Sequence, residues 1–154
     1  MIFKINSKSL LSALNLTAKG INASTVSDTS NYHFKKTDAG LEISTCNLEI
    51  SMQTCIDVAT TDPIDILIPG EKLVRLLSSL PDQFVTFTIG DDNSISIKAI
   101  SGAYELSGYS AENFPIIKTE TNLDVTVPAE DLTEAIYATA FARSVEPTMQ
   151  VFTG

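Results

Sequence analysis

Few side chains in this 154-residue chain could perform covalent or acid–base chemistry. There is one histidine, His33, between Tyr32 and Phe34 in an alternating stretch, so any Ser-His-Asp or Cys-His nucleophile would depend on it alone. A histidine in that setting reads as structural or solvent-facing. Cys46 and Cys55 are too few for a disulfide scaffold, and their spacing matches no zinc motif. They read as thiols that pack like small apolar residues. Asp91-Asp92-Asn93 lacks the ligand series of a calcium loop and reads as turn chemistry, because Asp and Asn tolerate tight-turn backbone angles. Neither a Walker loop nor a glycine-rich dinucleotide fingerprint occurs. The reading is therefore a non-enzyme with no cofactor and no metal.

The chemistry that remains is electrostatic. Ten Lys+Arg against 19 Asp+Glu give a formal charge of −9, which argues against a protein that grips nucleic acid over its whole surface. The cations are nevertheless segregated. Residues 7–20 hold Lys8 and Lys19 and no acid, and residues 70–80 hold Lys72 and Arg75 against Glu71. These two stretches carry +3, leaving −12 elsewhere. At 100° per residue, Lys8, Ser12, Asn15 and Lys19 fall opposite a leucine stripe. Arg75, Ser78 and Ser79 do the same on the second stretch, with Lys72 on its flank. Basic and small polar residues on free helix faces suit a polyanion, and equally suit ordinary solvated faces.

Those faces need helices to hold them. Helical period is expected over 7–19 (Leu10, Leu11, Leu14, Ala18), over 71–80 (Leu73, Leu76, Leu77, Leu80) and over 129–142 (Leu132, Ala135, Ile136, Ala140). Elsewhere the chain alternates with period two. Strands are expected over 31–36 and 41–44 as one hairpin, over 48–56, and over 64–68. A second hairpin is expected over 84–89 and 94–100, and a short strand over 103–107. The short links favour antiparallel pairing, so the fold class is α+β. The N-terminus lacks a signal-peptide layout and no apolar run reaches the ~20 residues a bilayer requires, so the reading is cytoplasmic.

An internal repeat underlies the three helices. Ile5-Asn6-Ser7-Lys8-Ser9-Leu10, Ile68-Pro69-Gly70-Glu71-Lys72-Leu73 and Val127-Pro128-Ala129-Glu130-Asp131-Leu132 align, starting 63 and then 59 residues apart. In each, an apolar strand runs into a helix start, and Leu follows the strand's last apolar residue by five positions. The third copy stops within the strand-like 149–154, so the chain reads as the N-terminal piece of a longer protein, with 113–122 linking a finished domain to an unfinished one.

The whole chain, weakly but in order, resembles the beta subunit of bacterial DNA polymerase III, the sliding clamp. Gly40-Leu41-Glu42-Ile43-Ser44-Thr45-Cys46-Asn47-Leu48-Glu49-Ile50 is similar to the family's hairpin and Asp-Leu-Glu segment, with Asn47 where Asp is usual. Ile68-Pro69-Gly70-Glu71-Lys72-Leu73 resembles its Val-Pro-Ala-Arg/Lys helix entry, and Asn113-Phe114-Pro115 the Asp-Phe-Pro of its first domain boundary. The stretch from Val127-Pro128-Ala129 to Phe141 resembles the opening of its second domain.

The resemblance implies a DNA-clamp fold, two helices packed against antiparallel sheets with an internal pseudo-two-fold. Residues 1–118 would be the first domain and 119–154 the start of the second, with strand, helix and part of the next strand. It implies a processivity factor whose dimeric ring encircles duplex DNA without sequence preference and tethers a replicative polymerase. The polymerase and the clamp loader would act through parts missing here. Lys8, Lys19, Lys72 and Arg75 would face DNA, while Tyr104, Leu106 and Lys72 would face the partner subunit. Departures from the pattern are the loop 23–29, which lacks the usual Arg and prolines, Glu71 where a basic residue is common, and Glu130 and Glu134 on the face of the third helix that should see DNA. The alternative is a stand-alone β-rich interaction or ligand-binding module. Whether the reading frame continues beyond Gly154 with further repeats discriminates the two.

Overall fold

Two β-α-β-β-β passages in succession build the first part of the molecule, a computed structural model that describes residues 1–21, 28–47, 50–115 and 125–143. The first passage is β1 (Ile2–Asn6), α1 (Ser7–Thr17), β2 (Asn31–Thr37), β3 (Gly40–Cys46) and β4 (Ser51–Ile56). The second is β5 (Asp65–Pro69), α2 (Gly70–Ser79), β6 (Phe84–Ile89), β7 (Ser94–Ala99) and β8 (Gly102–Ser107). A further helix, α3 (Ala129–Ala140), follows. The chain divides into two compact units, Met1–Lys118 and Thr119–Gly154.

Each passage lends its first strand to the other. One sheet has the order β1-β6-β7-β8 and the other β4-β3-β2-β5, with every pairing antiparallel. β1 thus pairs with β6, while β5 pairs with β2. This exchange is the expected pseudo-two-fold in physical form, because neither half completes its own sheet. The inward faces of both sheets and both helix stripes meet in one core. Leu10 and Leu14 of α1 and Leu73 and Leu77 of α2 are completely buried there, worth roughly 1.5–3 kcal/mol each. Phe3 and Phe87 stack across β1 and β6 with centroids 4.8 Å apart.

The departures from the periodic reading have local causes. α1 ends at Thr17 rather than continuing to Lys19, and Ala18–Gly20 tightens into a 3₁₀ turn. The Thr17 hydroxyl folds back on the carbonyls of Ala13 and Leu14, while Thr17's own carbonyl accepts the Thr45 hydroxyl at 2.6 Å. Gly20 lies so close to Thr45 that a Cβ there would overlap its Oγ1. Ile50 is outside β4 and half exposed, because its amide closes a turn on the Asn47 side chain at 2.7 Å. Leu48 and the segment 149–154 lie outside the described residues.

The opposite face of the β2-β5 sheet is covered as well. Leu67 is completely buried among Cys46 and Phe114 rather than lying on a solvent face, so Phe114 packs on the first unit instead of serving as open linker. His33 joins this patch. Its Nε2 lies 2.7 Å from Asp65 Oδ1 and its ring lies 4.7 Å from that of Phe114, which makes it a packing residue. The Asp91–Asn93 run is the β6–β7 turn, with Asn93 at φ 62°. There Asp92 accepts bonds from the Ser94 hydroxyl and amide, which hold its carboxyl below the usual range.

In the second unit, every described residue is exposed, including Leu132, Ile136 and Tyr137 on α3. Among the described residues no helix is long and apolar enough to cross a membrane.

Candidate nucleic-acid interface

The helical face begins with a cap. Asn6 leaves β1 in extended conformation, and its Oδ1 accepts from the amides of Lys8 and Ser9 at 2.9 and 3.0 Å. Asn6 is itself held by Asp82, which accepts its Nδ2 at 2.7 Å. Lys8 therefore lies exposed in the first turn of the capped helix, and Ser12 and Asn15 continue the exposed row. Leu16, 64% exposed, is an apolar interruption of that row. A shallow depression of about 380 Å³ follows it, lined by Lys8, Leu11, Ser12, Asn15 and Leu16. Lys19 is exposed on the 3₁₀ turn rather than on the helix, so the 100° step of the helix does not set its bearing.

α2 lies against α1, and the two turn their leucines into the same core. Their free faces consequently look out on one side. Pro69 occupies the N-cap position of α2 without a side-chain bond, and Glu71 is the acid of its first turn. Lys72, Arg75, Ser78 and Ser79 are exposed. Arg75 donates from its guanidinium to Glu71 Oε1 at 2.8 Å, with both side chains 80% exposed. Among the described residues, Lys8, Lys19 and Lys72 form no ion pair.

Tyr32 holds the two helices in register from below. Its hydroxyl donates to the Leu14 carbonyl at 3.0 Å, and burial pushes its pKa up to about 12. At the start of α2, a Cβ on Gly70 would stand 3.2 Å from the Tyr32 ring and 3.0 Å from the Ser30 carbonyl, so the helix approaches as closely as glycine permits. A groove of about 430 Å³ runs beside this contact, with Tyr32 and Val74 in its wall and Glu71 and Arg75 on its rim.

Of the residues expected at a subunit boundary, Tyr104 and Leu106 lie on β8, the last strand of its sheet, while Lys72 lies on α2. Tyr104 and Leu106 are half-buried and pack against the main core opposite Ile97 and Ile95, while Ala103, Glu105 and Ser107 are exposed. The Tyr104 hydroxyl shares a bond with Ser101 Oγ at 3.1 Å. Two other edges, those of β1 and β5, are blunted, while β4 like β8 ends its sheet. The Ile2 carbonyl on β1 accepts the Thr60 hydroxyl, and Leu67 on β5 exchanges two backbone bonds with Tyr109. Among the described residues, no further strand pairs with β8.

The structure thus brings Lys8, Lys19, Lys72 and Arg75 onto the two-helix layer and puts Tyr104 and Leu106 on a sheet edge. Sequence reasoning passed over the Glu71–Arg75 pair, although its i,i+4 spacing was a sufficient signal. His33–Asp65 had no such signal, since the partners are 32 residues apart.

A family model described as "DNA polymerase III beta subunit, N-terminal domain" matches residues 1–118. A beta sliding clamp from Synechocystis is 27% identical over 121 residues, covering 74% of this chain and 31% of that protein. One from Streptococcus pneumoniae is 26% identical over 161 residues, covering 99% of this chain and 43% of that protein. Among solved structures, a putative DNA polymerase III beta subunit from Eubacterium rectale superposes with TM-score 0.90 at 19% identity, over 100% of this chain and 42% of that one. The DNA polymerase III beta chain of Streptococcus pneumoniae gives 0.88 at 25% identity, over 96% and 42%. The chain spans less than half the length of these relatives.

Proposed function

The chain belongs to the family of the DNA polymerase III beta subunit, N-terminal domain, and on that premise we propose that it is part of a sliding clamp, a non-catalytic subunit that encircles duplex DNA and tethers a replicative polymerase. One observation carries this reading. Two adjacent helices bury their leucines in one core and present Lys8, Lys19, Lys72 and Arg75 together, in a chain whose net charge is −9. A ring retains DNA by topology, so sparse phosphate contacts suffice and base-specific contacts would hinder sliding. The acid on strands and loops keeps the remaining surface off nucleic acid.

On this reading residues 1–118 are the first clamp domain and 119–154 the opening of a second. The ring closes as a homodimer through β8, with Tyr104 and Leu106 as apolar contacts and Lys72 as an ion-pair donor. A clamp loader and the polymerase engage parts of the subunit outside this chain, in the cytoplasm. The test is retention of the full-length protein on DNA. It should persist on nicked circles and run off linear duplex with free ends, and equal dissociation from both would overturn topological holding.

A further inference from the structure

Of the four cations on the two-helix face, Arg75 alone is engaged by an acid among the described residues. We propose that Glu71 is a built-in competitor for Arg75, holding its guanidinium away from phosphate and so limiting how tightly this face grips duplex DNA; this rests on the reading of that face as DNA-facing. Three features of α2 support it. The acid precedes the base by four residues, the favourable order on a helix, and the charged atoms meet at 2.8 Å. Glu71 sits in the first turn of a helix whose N-cap, Pro69, offers no side-chain acceptor, so the helix dipole keeps a carboxylate there. Both side chains are 80% exposed, so the competition is a mild one and shifts affinity by only a few fold.

Arg75 is therefore a conditional contact. A phosphate oxygen pair matches the guanidinium fork as well as a carboxylate does, so phosphate and Glu71 compete for Arg75, and Glu71, one turn away on the same helix, keeps it in the parent chain. With Arg75 so held, Lys8, Lys19 and Lys72 carry the attraction, and three phosphate contacts give a log–log salt slope of about −2.7 rather than the roughly −3.6 of four. Weak contact suits a sliding ring, so the carboxylate on this face is compatible with the proposed function.

The test is a double-mutant cycle on this chain, reading fluorescence anisotropy of a short labelled duplex over about 20–150 mM salt. Glu71→Gln should tighten binding about two- to fivefold at low salt and steepen the slope by about one contact. Arg75→Ala should have little effect in the parent chain and abolish the gain in the Glu71→Gln background. A purely structural role for Glu71 would lower the thermal midpoint of Glu71→Gln and leave the slope alone. An equal cost of Arg75→Ala in both backgrounds, or an unchanged slope in Glu71→Gln, would overturn the competitor role while leaving DNA contact standing. If no variant binds at low salt, Glu71→Lys included, DNA contact by this face falls, and the competitor role with it.

Discussion

Tyr32→Phe tests how the two-helix face is held. The substitution keeps the ring, which packs under Gly70 at the start of α2, and removes only the hydroxyl that donates to Leu14 of α1 at 3.0 Å. Losing one buried neutral hydrogen bond costs about 1 kcal/mol. The cost stays near that figure because the Leu14 carbonyl is also approached by the Thr17 hydroxyl at 3.3 Å. The same burial that makes the bond valuable pushes the phenol from its ordinary 10.0 to about 12. A phenol that keeps its proton in the folded chain after the unfolded chain has lost it stabilises the fold fully below pH 10. That stability drains away as pH climbs from 10 through about 12. The full displacement corresponds to about 3 kcal/mol, of which about 2 kcal/mol is lost by about pH 11.5. Urea unfolding followed by far-UV circular dichroism, from about pH 7 to about pH 11.5, should show the parent more stable by about 1 kcal/mol at neutral pH. The difference should shrink above pH 10 and reverse near the top of the range, since the phenylalanine variant has nothing to titrate there. Every other side chain is common to both proteins and cancels in the comparison. Parallel stability curves across the whole range would refute the buried-phenol reasoning.

Two further outcomes follow from the caps and the edges. Asn6→Ala removes the acceptor for the Lys8 and Ser9 amides and the tie to Asp82, and should cost about 1 kcal/mol in urea unfolding; a neutral result would mean that water replaces the cap. The open edge of β8 should make this chain self-associate with rising concentration in sedimentation velocity. Leu106→Lys should weaken that association, as should the exposed Ala103→Lys, which spares the core; a monomer at every concentration would show that the edge is not an interface.

Element existence was legible in the sequence because it depends on near neighbours. The leucine spacings of α1 and α2, the strand–helix repeat and the turn residues between hairpins predict the β-α-β-β-β passages without any tertiary contact. The basic stripe was legible for the same reason, since a helix converts spacing into a face. What lies beyond one helix turn or one hairpin was not. Alternation marks β1 and β5 as strands but cannot say that each crosses to the other half's sheet, because backbone pairing is indifferent to sequence distance. Leu67 and Phe114 lie 47 residues apart, so the second covered face of the β5 sheet has no local signature. Lys19 shows the boundary most clearly. Its place on the basic row was predictable from spacing. The turn that carries it is a 3₁₀ turn beside Thr45, 26 residues away, whose hydroxyl donates to the Thr17 carbonyl, and nothing local announces that contact. The sequence determined the helices, strands and segregated charge through interactions a few residues long. Tertiary structure alone decided how the sheets share strands and what covers the second face of the β5 sheet, because those depend on groups that meet only after the chain has closed on itself.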